Sequence, residues 1–304
     1  MMDRQVEQRA DDLATLRHGA IACLLAPDCG GSIARLTVEG PRGPIDLLRP
    51  ASPAALAGTF APDMGCFPLV PFSNRIGGGR FTFRQRRVRL ETDPGSPHRI
   101  HGHGWQNPWM VEGLDGRSAR LTYRHGADDW PWRYAAAQDI SVERDGLTVS
   151  MELVNLSDEP MPAGIGLHPY FPKPPGTVLT ANVATVWRND DTLLPLAREA
   201  VPEAWDFPRG VRMDEVVLDN GFTGWDGVAT LDLPALGHRL TIAADGPFGH
   251  LIVYAPRGES YLCVEPVSHM TDAVNRTEEP DAGLRVLEPG ERLAGTVRLR
   301  VCPL

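Results

Sequence analysis

Residues 134–155 read YAAAQDISVERDGLTVSMELVN, and the fold class turns on them. Apolar and polar side chains alternate from 134 to 143 and again from 147 to 156, the period of a strand that lays one face on a core. Asp145-Gly146 stands between the runs, and both residues tolerate the positive φ of a tight hairpin turn. The spacing therefore predicts two long antiparallel strands in firm register.

The same signature recurs on either side. Short apolar or alternating runs at 21–25, 33–38, 81–83, 88–90, 119–125, 177–185, 228–233, 239–244, 249–254, 260–265 and 291–301 are closed by Gly, Pro, Asp or Asn, the punctuation of strands and turns. With 31 glycines and 28 prolines in 304 residues, long helices have little room. Only 52–56, with Ser52 as N-cap before Pro53, and 268–275 are expected to form single helical turns. No repeat or linker divides the chain. The expectation is an all-β protein: one large antiparallel β-sandwich with few short helices over 19–304, preceded by an N-terminal arm over 1–18 whose first ten residues are loose.

Composition excludes several functions. A formal net charge of −9 offers no counterion-release attraction to nucleic acid or to anionic lipid. The five cysteines (Cys23, Cys29, Cys66, Cys263, Cys302) form no C-x-x-C pair and fit free thiols in a reducing compartment. The first 18 residues lack the basic region of a signal peptide, and no apolar run approaches the ~18 residues of a spanning helix, so a soluble, cytoplasmic protein is expected. Lys173 is the sole lysine, which removes lysine chemistry elsewhere. Nothing in the sequence indicates an oligomeric state.

Three segments carry the chemistry-bearing residues. His98-Arg99-Ile100-His101-Gly102-His103-Gly104-Trp105 places three imidazoles in six residues, with glycines that admit close approach of backbone or ligand. A metal reading rests on His101-x-His103, since alternate strand residues share a face. No carboxylate ligand follows closely, because Glu112 is nine residues beyond His103. The second segment, Gly164 to Phe171, has His168 leaving an apolar run just before Pro169. In the third, Leu262-Cys263-Val264-Glu265-Pro266, a carboxylate closes an apolar run, an expensive placement unless the group is paired or working. Both titratable groups are expected at strand ends terminated by proline. Brought to one cleft, they make an acid/base pair. Arg84, Arg86, Arg87 and Arg89 on one hairpin tip are expected to be solvated, with a sugar-phosphate clamp as the minor reading. No nucleotide loop and no G-x-S-x-G elbow occurs.

Asn74-Arg75-Ile76 followed by Phe81, then His101-Gly102, then Gly166-Leu167-His168-Pro169-Tyr170-Phe171, then Leu262-Cys263-Val264-Glu265 with Asp272-Ala273-Val274-Asn275, resemble in that order the aldose 1-epimerases, or galactose mutarotases. The resemblance covers roughly residues 19 to 300. It implies a β-supersandwich with an open sugar cleft, an isomerase that interconverts the α and β anomers of a free monosaccharide, and no metal or cofactor. It further implies His168 as the acid that protonates the ring oxygen and Glu265 as the base at the anomeric hydroxyl. Asn74, Arg75 and His101 would hold the sugar, and Asp219 would bind its hydroxyls, with Asp214 and Asp226 as rivals and an Asp-Asn-Gly turn as the alternative for Asp219. Many members read His-Gly-Gly where this chain reads His101-Gly102-His103, so His103 would share or take the role of His101. A nearby carboxylate is expected to keep His168 as imidazolium, and Trp105, Trp109, Tyr170 and Phe171 are the aromatic candidates for stacking on a sugar ring. A hexose-6-phosphate epimerase, a sugar-binding module without catalysis, and a cupin-like metalloenzyme are the alternatives.

Overall fold

The 134–155 stretch forms the hairpin its alternation predicts. In the computed structural model, which describes residues 13–304, strands Tyr134–Glu143 and Gly146–Asn155 pair in unbroken register from Tyr134 opposite Asn155 to Glu143 opposite Gly146. Ile140, Val142, Leu147, Val149, Met151 and Leu153 are buried, and the intervening side chains face outward as period 2 requires.

Among the described residues this hairpin belongs to a nine-stranded antiparallel sheet, which stacks against an eleven-stranded one. The larger sheet runs Ala14–His18, Ile21–Ala26, Ser32–Gly40, Cys66–Leu69, Gly166–Pro172, Tyr261–Val267, His250–Ala255, Leu218–Thr223, Thr185–Asn189, Pro195–Ala200, with Gly43–Asp46 beside Ser32–Gly40. One contiguous core fills the space between the sheets. Leu167, Phe171, Leu262, Val264, Leu251, Val253 and Phe222 of the larger sheet enter it together with Ile140, Val149, Leu153, Leu231, Ile242, Val297 and Leu299 of the smaller, each worth about 1.5–3 kcal/mol on burial.

Alternation then dictates what the opposite face of the larger sheet carries. If Leu167 and Phe171 point inward, His168 and Tyr170 point outward; if Val264 points inward, Cys263 and Glu265 do not. That outer face holds a smaller apolar cluster that includes Phe67, Leu69, Trp105, Tyr170, Ile252, Cys263 and Val267. Polar residues among them sit on a rigid floor.

The structure departs from the sequence reading at the start of the chain, at 177–185 and at 268–275. The loose arm of residues 1–10 lies outside the described residues, but Ala14–His18 is a strand paired with Ile21–Ala26, so the sandwich starts inside the 1–18 segment. The run at 177–185 is not one strand: Val178–Ala181 joins the smaller sheet and Thr185–Asn189 the larger, the chain crossing between layers. The turn at 268–275 shrinks to a single 3₁₀ turn, Ala273–Asn275, whereas Pro53–Leu56 is helical with Ser52 Oγ accepting the Ala55 N–H at 3.1 Å. No helix among the described residues is long and apolar enough to cross a membrane.

Candidate active site

His168 and Glu265 do not lie at strand ends. Gly166–Pro172 and Tyr261–Val267 are adjacent, with Gly166 opposite Val267 and Tyr170 opposite Cys263. In that register His168 faces Glu265. Pairing lapses over the residues between those two points, where Pro169 and Pro266 each lack the N–H that a rung of the ladder uses. The strands continue because their other neighbours hold them: His168 pairs with Phe67 and Pro169 with Cys66, and Glu265 pairs with Ile252 and Pro266 with Leu251. The prolines that were expected to end the strands instead open a short gap between them at the titratable pair.

Within that gap His168 Nε2 stands 3.4 Å from Glu265 Oε1, with the two side chains 8% and 3% exposed. His168 packs against two aromatic rings, with Phe67 at 4.6 Å and Tyr170 at 4.7 Å between centroids. The Arg49 guanidinium covers Tyr170 at 3.8 Å and donates to Met64 O at 2.8 Å. Among the described residues, His168 Nδ1 and Glu265 Oε2 find no hydrogen-bond partner, though both are buried. Unmet polar atoms of this kind each cost about 1–3 kcal/mol, a burden that the apolar face alone gives no reason to carry.

Burial dominates the electrostatics. It pushes the Glu265 carboxyl well above the usual carboxylate range, reinforced by Asp219 and opposed by Arg75. It lowers His168 to about 3, with Arg49 and Arg75 acting in the same direction. The expectation of a standing imidazolium is thereby corrected. In this dry setting the pair favours imidazole beside carboxylic acid, since desolvation of both charges outweighs their mutual attraction.

Three further side chains converge on the pair. The His101 ring lies edge-on to His168 at 5.2 Å. Its Nδ1 accepts the Asn74 N–H at 3.0 Å, so the neutral ring carries its proton on Nε2. Burial, followed by His168 and Arg75, holds His101 well below the ordinary histidine value and keeps it neutral. Both Asn74 and His101 adopt positive φ, 55° and 62°, backbone that non-glycine residues rarely accept outside functional positions. Asn74 Oδ1 accepts from Arg75 N and Nη1 at 2.9 and 3.1 Å, and Arg75 Nη2 lies 3.5 Å from Asp219 Oδ2. Asp219 sits inside strand Leu218–Thr223 rather than in a turn. Burial raises its pKa against the pull of Arg75. Its rivals are engaged elsewhere, Asp214 with Arg212 and Asp226 with Asn182. The Asp272–Asn275 motif is scaffold: Asp272 Oδ1 accepts from Gly77 N at 2.9 Å and from Asn275 Nδ2 at 2.8 Å, tethering the segment behind Arg75.

His103 is not part of this constellation. The tight turn at Gly102, with φ +70°, sends it toward Asp129, where its Nε2 lies 3.1 Å from Oδ1, and its ring stacks on His125. His101 and His103 therefore share no ligand. Trp105 and Tyr170 belong to the outer-face cluster, whereas Trp109 and Phe171 are core. Arg84 and Arg86 of the hairpin tip form exposed ion pairs with Glu288 and Glu159. Phe67 and Arg49 were not anticipated. Phe67 lies in an apolar run with no polar marker, and no local pattern distinguishes Arg49. One atom from each of His168, Cys263 and Glu265 lies within 4.8 Å of the others, so the floor has a donor set that a thiophilic cation would fit, although Cys263 is buried.

Known proteins share this fold. A family model described as aldose 1-epimerase matches residues 12–300. The uncharacterised protein YphB of Escherichia coli K12 is 32% identical over 297 residues, spanning 94% of this chain and 98% of its own. A crystal structure from Escherichia coli K12, described as a "putative aldose 1-epimerase", superposes with a TM-score of 0.87 at 30% identity and covers 96% of this chain and 99% of its own. A galactose mutarotase-like protein from Clostridium acetobutylicum has the same fold, with a TM-score of 0.86 at 18% identity over 95% of each chain. With the match running nearly end to end, the chain belongs to the aldose 1-epimerase family.

Proposed function

We propose that this protein is an aldose 1-epimerase acting on an unphosphorylated aldose, with His168 and Glu265 as its proton-transfer pair. The observation that carries the reading is the cross-strand placement of the two groups, 3.4 Å apart and both buried, in a face that leaves His168 Nδ1 and Glu265 Oε2 unbonded. Opening a pyranose requires a proton delivered to the ring oxygen while one leaves the anomeric hydroxyl. Rotation about C1–C2 and reclosure then give the other anomer. The sequence of steps transfers no electrons and needs no redox centre.

The pair holds one labile proton whichever partner carries it. Sugar hydroxyls hydrogen-bonded to the Glu265 carboxylate, with Arg75 nearby, favour the carboxylate and move that proton to His168. His168 is then the acid toward the ring oxygen, Glu265 is the base at the anomeric hydroxyl, and the roles exchange on reclosure. Each transfer contributes about 10²–10⁴-fold. His101 Nε2–H, Arg75 and Asn74 hold the substrate and its developing charge, Asp219 accepts from distal hydroxyls, and Trp105 offers an apolar face to the ring.

An unphosphorylated substrate is favoured by charge. Arg75 is offset by Asp219 at 3.5 Å, and Arg49 is committed to Tyr170 and to main-chain carbonyls, so a dianionic phosphate would meet two carboxyl groups and no free guanidinium among these residues. Polarimetry of freshly dissolved α-glucose, α-galactose and arabinose, run beside the corresponding hexose 6-phosphates, tests the proposal. Faster turnover of the phosphorylated sugars would overturn the substrate class. Sugar binding with anomers drifting at the buffer rate would overturn the enzyme.

A further inference from the structure

A second cluster of titratable side chains lies apart from the site described above. His103 follows His101 by two residues, His125 ends strand Ser118–His125, and Asp128 and Asp129 lie in the loop beyond it. The two imidazoles are 7% and 3% exposed and stack at 4.5 Å with 23° between their planes. Each presents Nε2 to a carboxylate: His103 to Asp129 Oδ1 at 3.1 Å and His125 to Asp128 Oδ1 at 3.0 Å. His103 Nδ1 is buried with no hydrogen-bond partner among the described residues. His125 Nε2 is also 3.3 Å from Trp130 O, and its Nδ1 is 3.4 Å from the Tyr123 hydroxyl. Asp129 Oδ2 accepts the Glu91 N–H at 3.0 Å.

We propose that His103, His125, Asp128 and Asp129 form a binding site for a divalent transition-metal ion of the zinc class. One donor atom from each of His103, His125 and Asp128 lies within 4.8 Å of the others. Ligands of a tetrahedral zinc at ~2.1 Å stand roughly 3.4 Å apart, so closure by no more than about 1.4 Å between any two of these three donors, with the stacked rings turning until their in-plane lone pairs converge, brings them to one ion. Charge points the same way. One dication would meet both carboxylates and a ring nitrogen of each histidine, the pairs that already stand 3.1 and 3.0 Å apart. Two imidazoles with two carboxylates suit zinc, with copper and nickel as competitors, and disfavour magnesium and calcium. Asp128, whose side chain is 59% exposed, gives the ion a way in. A bound ion would pin the segment that carries His101 to the 125–130 loop without touching the sugar, so the proposal does not depend on the epimerase reading.

The test uses the full chain, freed of metal by chelation, titrated with Zn²⁺ by calorimetry and with Co²⁺ by absorption. We expect one tight equivalent, a rise in melting temperature with Zn²⁺, and Co²⁺ d–d bands without a sulfur-to-metal charge-transfer band. Asp128→Asn, at an exposed position that leaves folding intact, should weaken binding by on the order of tenfold or more and abolish the thermal shift. His125→Gln should do the same, and Cys263→Ala should leave binding unchanged. The proposal is overturned by the absence of a tight equivalent, or by a thiolate band with binding lost in Cys263→Ala and kept in Asp128→Asn, which would move the ion to the His168–Cys263–Glu265 floor.

Discussion

Of the imidazole–carboxylate pairs among the described residues, two stand at nearly equal separation in contrasting settings, His168 with Glu265 at 3.4 Å and His103 with Asp129 at 3.1 Å, and their carboxyl groups behave oppositely. Asp129 is 29% exposed. Although burial alone would raise its pKa, the Glu91 amide, Asp128 and His103 bring it below the ordinary value, so it remains a fixed anion. Glu265 has one unbonded oxygen and no amide donor, and burial pushes it upward. Separation does not decide what such a pair can do; the hydrogen bonds and water left to the carboxylate do. A well-solvated anion anchors its partner, whereas a starved one keeps its proton available for transfer.

The largest expected effect breaks the contrast at its active half. Glu265→Gln should lower kcat/KM by about 10²–10⁴-fold while the melting temperature holds or rises, since a neutral amide replaces a buried acid. An unchanged turnover by polarimetry would remove Glu265 from the chemistry. In the wild type, the acid limb of kcat/KM should fall toward the His168 value of about 3 rather than near 6.5, and the alkaline limb should lie above the ordinary carboxylate range, both belonging to the coupled pair. The sign follows from the directions: between a depressed histidine and a raised glutamate the pair keeps its single labile proton, so activity is lost only as pH falls toward the His168 value or rises past the raised Glu265 carboxyl. An acid-side break near pH 6.5 would show that the pair is wetter than it looks.

Next in size is Gly102→Ala. A methyl group there would sit 2.2 Å from Val70 O, at φ +70°, in the turn that sends His101 and His103 different ways. A stability loss of about 3 kcal/mol is expected in chemical denaturation, with KM rising in the protein that still folds. Asp219→Asn should raise KM roughly tenfold with a smaller change in kcat, the loss of a charged hydrogen-bond acceptor. Asp129→Asn is the smallest, with turnover within about threefold of wild type and a stability loss of about 1 kcal/mol. A collapse of activity there would erase the distinction between the two pairs.

Much of this was legible before any coordinates. Alternation at 134–155 set the hairpin, and His168, Glu265, Arg75, His101 and Asn74 lie together as the motifs suggested. What misled the reading was proline. Pro169 and Pro266 read as strand ends because a ladder rung needs an N–H, but each strand is held by its second neighbour, a non-local fact that no window contains. His103 misled for a similar reason: the positive φ at His101 and Gly102 breaks the alternation that would have put both histidines on one face. Asp219 carried a turn reading beside its binding role because Asp-Asn-Gly is turn chemistry, and its strand is made by pairing with His250–Ala255 on one side and Thr185–Asn189 on the other. Phe67 and Arg49 carry no mark, since stacking on His168 and Tyr170 depends on where distant strands meet.

The opposed placement of His168 and Glu265 on neighbouring strands binds folding to reactivity. Were either strand to shift by one residue, Leu167 or Val264 would exchange faces with its reactive neighbour, and an ionisable group would be driven among the aliphatic side chains between the layers. Such a misthreaded chain would be unstable as well as inert. Molecules that survive to maturity are thereby those already aligned for proton exchange.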